Sequence, residues 1–263
     1  MSKFSWYFIP YDPTEGIRQT LLDTGYKSYD PFPGGSGSPI GKVTRLRLFV
    51  SPVIDGWHKV LMALEDTFPA ELQAALPDLL TAQLLDDYHF QVGVGGHWGL
   101  ETLTPYLRSD CSLDTVQQAA TGPVQVAPPV SPELANLPPD IQQMAQQSGV
   151  KAVQVDKMMD KMSKRIMKKL PEDDTKQEQV RAALQASQGA NWQSAAGQHL
   201  RAVMACLTVP EQWYRPDWQS LVNAYQVARQ QQRKMPLLPG DDAMLKQVTD
   251  ALDYSPLYFY LKA

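Results

Sequence analysis

Two cysteines, four histidines and no long apolar run are all that this chain offers to redox, metal and membrane chemistry. Cys111 and Cys206 form no CxxC pair and no metal-ligand spacing, so they read as two free thiols in a reducing compartment. No stretch approaches the roughly 20 apolar residues that span a bilayer. The apolar run of "MSKFSWYFIPYDPTEG" stops at Pro10, short of the apolar core of a secretory signal. The expectation is a soluble, cytoplasmic protein, or one peripheral to a membrane. An excess of charge of one sign is missing too. With 24 Lys and Arg against 28 Asp and Glu the net charge is -4, so no global field recruits nucleic acid.

Catalytic signatures are also missing. In "GGSGSPIGKV" (34–43) Ser36 stands where a Walker loop needs its first glycine, and Val43 where it needs a hydroxyl. There is no G-x-S-x-G elbow. The strand "WHKVLMAL" lacks the RNA-stacking signature of an RRM. His58, His89 and His97, with Asp86 and Asp87, match no metal-ligand spacing. Neither a cofactor nor a metal is expected.

What is present is enough apolar material, 43% of 263 residues, for one large domain or two modest ones. "FSWYFIP" reads as a short buried strand. Thr14 and Gly25 bracket a helix of about three turns. Residues 29–42 read as loop. "RLRLFVSPVIDGWHKVLMAL" (45–64) reads as strand, Asp55-Gly56 turn, strand. In it Leu46, Leu48 and Val50 share one face, and Arg45, Arg47 and Phe49 the other. "PAELQAALPDLLTAQLL" (69–85) reads as a helix broken near Pro77, and "YHFQVGVGG" (88–96) as a strand. The order β-α-β-β-α-β predicts an α+β, ferredoxin-like antiparallel sheet over 1–120, with helices on one face only. Leu46, Leu48 and Val50 should face those helices. Arg45, Arg47, Phe49, His89 and Gln91 should line the helix-free face. Residues 97–110 are expected to add a strand or cover an edge.

Six prolines in 121–140 read as an extended linker. From 141 to 263 the pattern is helical, and an all-α bundle is expected. Its helix 151–170 has an apolar stripe of Val155, Met159, Met162, Ile166 and Leu170. It also carries Lys151, Lys157, Lys161, Lys164, Arg165, Lys168 and Lys169 against Asp156 and Asp160, a local charge of +5. A basic, methionine-rich helix suits an acidic partner groove. It lacks Trp and Phe, which weakens a membrane reading.

The functional expectation is a non-catalytic protein-interaction or assembly factor. Its candidate surfaces are Lys157, Lys161, Lys164, Arg165, Lys168 and Lys169 on the helix, and Arg45, Arg47, Phe49 and His89 on the open sheet face. The partner expected is another protein, within a larger assembly. The alternative is an enzyme of unfamiliar type with a pocket between the two domains, built from His89, His97, Asp86 and Asp87.

Overall fold

A computed structural model describes residues 4–123 and 190–262. Its centre is an eight-stranded antiparallel sheet in the order β2-β8-β3-β4-β1-β5-β6-β7. The strands are β1 (Phe4–Ile9), β2 (Lys27–Ser28), β3 (Val43–Val50), β4 (His58–Met62), β5 (Leu80–Leu84), β6 (Phe90–Val94), β7 (His97–Trp98) and β8 (Ser255–Lys262). The described helices are α1 (Thr14–Asp23), α2 (Ala70–Ala75), α3 (Leu113–Thr121), α4 (Ala195–Ala205), α5 (Trp218–Gln232) and α6 (Asp241–Gln247).

Local chemistry accounts for the first elements. Asp12 Oδ1 accepts the Thr14 N–H at 2.9 Å, and Ile17 and Leu21, four apart, are both fully buried. Gly25 ends the turn at φ +87°, a conformation open to glycine. Between β3 and β4 the pair Asp55 (φ 51°) and Gly56 (φ 83°) makes the left-handed hairpin turn, closed by two hydrogen bonds between Ile54 and Trp57. Register follows as Leu48 opposite Met62 and Val50 opposite Val60.

Three expectations change here. The first is the helix over 69–85. It stops after α2, and Leu80–Leu84 is a strand beside β1, buried at all five positions. A strand covered on both faces shows no alternation, so its sequence resembles a buried helix. The second is the strand over 88–96. It begins only at Phe90, because Leu85 and Asp86 both donate to the His89 carbonyl in a tight turn. The third is the four-stranded ferredoxin-like sheet. The observed order has eight strands and is not that order, and segment 88–96 is not beside β1.

The all-helical reading of 141–263 also fails at its end. "SPLYFYLK" is β8, which pairs with β3 from Val43–Lys262 through Val50–Ser255. Residues 121–123 end α3 and its exit; the rest of the expected linker and the helix 151–170 lie outside the described residues.

The chain divides into two compact units. One comprises 5–83, 91–120 and 202–263. Its sheet is covered on both faces. On one face Tyr7, Ile9, Leu46, Leu48, Val50, Val60, Leu257 and Phe259 pack with Ile17 and Leu21 of α1 and Leu72 of α2. On the other, Phe49, Leu61 and Tyr258 pack with Leu221, Ala224 and Tyr225 of α5, with Phe32, and with Val248, Ala251 and Tyr254. Each large apolar side chain among these stabilises the fold by about 1.5–3 kcal/mol through burial. In the other unit Asp87 accepts hydrogen bonds from Ala196 N (3.0 Å) and Asn191 Nδ2 (2.9 Å). No described helix is long and apolar enough to cross a membrane.

Candidate functional site

Partway along β3 the sheet's own bonding pattern leaves a stretch of strand edge open among the described residues. Along an antiparallel strand, successive residues direct their backbone groups to opposite neighbours. Ser51 N donates to Lys59 O, and Ala63 N donates to Arg47 O. Odd-numbered residues of β3 therefore point toward β4, and even-numbered ones toward β8. The β3–β4 ladder ends there, because β4 stops at Met62 and the chain turns away, with Asp66 N bonded to Ala63 O. Arg47 N is met instead by Asp66 Oδ2 at 2.7 Å. One step further, the N–H and C=O of Arg45 face none of the described strands on that side.

A groove of about 860 Å³ lies along this edge. Val43, Thr44, Arg45 and Arg47 form one wall, and residues 65–71, including Phe68 and Glu71, form the other. Tyr26 also lines it. Arg47 is committed within it. Its Nε meets Asp66 Oδ2 at 3.0 Å and its Nη2 meets Asp66 Oδ1 at 2.8 Å, with Glu65 Oε2 at 3.2 Å. These carboxylates raise the guanidinium pKa above its usual value, the Asp66 hydrogen bonds most of all. Arg45 is exposed and pairs across the ladder with Tyr260.

The other expected surface residues separate. Phe49 is 0% exposed, because α5 lies over the face that the sequence predicts to be free of helices. Phe32, Trp218, Tyr225 and Tyr258 all hold rings within 6 Å of it. It offers nothing to a partner. His89 is not on the sheet face either. It sits exposed in the β5–β6 turn with its Nδ1 2.9 Å from Asp86. Lys157, Lys161, Lys164, Arg165, Lys168 and Lys169 lie outside the described residues.

Of the alternative catalytic set, Asp86 and His89 meet in the β5–β6 turn. The Tyr88 N–H and then the His89 ring hold the Asp86 carboxyl below its usual range. Asp87 is engaged by Asn191, His97 is exposed on β7, and His58 Nδ1 is 2.9 Å from Ser51 O. Among the described residues no cluster of three or more His, Cys, Asp or Glu side chains is placed to hold a metal.

One group escaped the sequence reading. Lys59 alternates with Leu61 on the α5 side of β4 and is buried. Its Nζ donates to Pro216 O at 2.8 Å, just before the Asp217 cap of α5. Burial pushes its ammonium down to about 7, and Asp217 partly offsets this. The only available signal was a lysine inside an apolar strand. Compared with family models, curated proteins and solved structures, the chain gives no match.

Proposed function

We propose that this protein is a non-catalytic interaction module that receives an extended segment of a partner protein along the open edge of β3. The observation that carries this reading is the half-length β3–β4 ladder, which leaves Arg45 facing a groove. A strand edge with unpaired N–H and C=O groups is a template for another chain. Main-chain hydrogen bonds to Arg45 supply affinity, and side-chain contacts supply selection. A carboxylate on the incoming segment meets the Arg45 guanidinium, and an apolar residue meets Phe68 and Tyr26.

In this reading strands β3, β4, β1 and β5, with α1 and α2 as crossings, are an elaborated split βαβ frame whose remaining strands extend it on both sides. The basic stretch Lys157–Lys169 is a second contact, resting on its +5 charge in 151–170. It steers an acidic partner and makes association salt-sensitive.

The test uses the full-length chain. Partners are captured with tagged protein, and the recovered partner is then titrated against purified wild type and Arg45→Pro. Proline at 45 deletes the N–H that faces the groove and spares the ladder to β8. Loss of one such bond should weaken binding about tenfold. Unchanged affinity in a folded Arg45→Pro variant would place the contact elsewhere.

A further inference from the structure

The two cysteines, distant in sequence, are neighbours in the fold. Leu107 bridges to Leu207, Arg108 N donates to Cys206 O at 2.9 Å, and Thr208 N donates to Tyr106 O at 3.4 Å. Segment 106–108 thus lies antiparallel to 206–208, just past the end of α4. Cys111 N then donates to Arg108 O at 2.9 Å, closing a tight turn. That turn carries Cys111 back toward Cys206, near enough for its side chain to raise the Cys206 thiol pKa. Both are free thiols; Cys206 is buried and Cys111 partly exposed.

We propose that Cys111 and Cys206 are a thiol pair that closes into a reversible disulfide by exchange with a small-molecule disulfide, stapling the 107–111 turn to the end of α4. The difference in exposure assigns the order of events. Cys111, reachable from solvent, attacks as the thiolate on one sulfur of the small disulfide. That S–S bond breaks, and one small thiolate leaves and takes a proton from water. Cys206 then loses its proton to solvent and attacks Cys111 Sγ. The mixed disulfide breaks and the second small thiolate leaves. Two protein thiols have given up two electrons and two protons, and one small disulfide has become two thiols.

The surroundings make the second step slow near neutral pH. Burial, and then the neighbouring Cys111, push the Cys206 thiol up to about 11, and Asp110 adds to this while Arg108 opposes it. Burial still raises the Cys206 thiol once Cys111 is held in the mixed disulfide, so closure should speed up as the pH rises from 7 to 9 and the thiolate fraction grows.

The experiment incubates the full-length chain with oxidised glutathione, quenches with an alkylating agent and maps both cysteines by mass spectrometry. The expected product is a Cys111–Cys206 linked peptide pair with neither residue alkylated, reversed by dithiothreitol. Cys206→Ser should stop at glutathione on Cys111, and Cys111→Ser should leave Cys206 largely unreacted in the folded chain. Wild type that ends with glutathione on Cys111 and a free Cys206, or with disulfide-linked dimers, would overturn the proposal.

Discussion

Arg47 and Asp66 close a bidentate pair at the end of the β3–β4 ladder, with the Asp66 side chain only 5% exposed and that of Arg47 24% exposed. Asp66 also accepts the Arg47 backbone N–H, so one carboxylate both ends the ladder and holds the arginine flat along the groove. Removing Arg47 leaves that carboxylate largely buried with a single donor. Arg47→Ala is expected to cost about 2 kcal/mol in urea unfolding. The double variant Arg47→Ala with Asp66→Asn should recover part of the loss, because no charge is then stranded. Strict additivity of the two changes would show that the pair contributes nothing as a pair.

From Leu48 to Val50 both faces of β3 are core, so substitutions there are costly on either face. Leu48→Asp places an unpartnered carboxylate beneath α1 and α2 and should cost at least about 4 kcal/mol. Phe49→Ala empties the centre of a five-ring cluster and should cost about 3–5 kcal/mol. Near-neutral Phe49→Ala would mean that α5 does not cover that face in solution.

Lys59 gives the fold a pH dependence of definite sign. Its folded pKa, about 7, lies below the unfolded lysine value of about 10.4. Between those two values the unfolded chain holds a proton that the folded chain has lost, so raising the pH favours folding. The Lys59 contribution therefore improves from pH 7 to about 10, by at most ~1.4 kcal/mol per unit, and its penalty is fully in force below pH 7. Lys59→Met removes this titration. The stability of wild type minus that of Lys59→Met should rise across pH 7–10 in urea melts. A flat difference would show that Nζ keeps its proton, held by Pro216 O.

Much of the hairpin was legible in the sequence, because its information is local. The Asp55-Gly56 turn and the alternation of Leu46, Leu48 and Val50 are period-two and turn signals that need no tertiary context. β5 was hidden for the opposite reason. "LTAQL" is buried on both faces, so nothing alternates and helix and strand look alike. β8 was hidden by distance: "SPLYFYLK" pairs with a strand more than 200 positions earlier, and no local pattern announces a partner. A separation of 95 positions likewise concealed the approach of Cys111 to Cys206. Arg45 and Arg47 were visible as candidates, but their place beside a strand edge rather than on an open face depends on where β4 stops.

Amide exchange at β3 tests the central claim most directly. In the free protein the Arg45 N–H, pointing into the groove, should exchange far faster than those of Thr44 and Leu46, which point toward β8. In the complex with its captured partner the Arg45 amide should slow to the rate of its neighbours. An Arg45 amide already as protected as Thr44 and Leu46 in the free chain, or one left unprotected in the complex while protection appears elsewhere, would contradict the reading of this edge as the docking site.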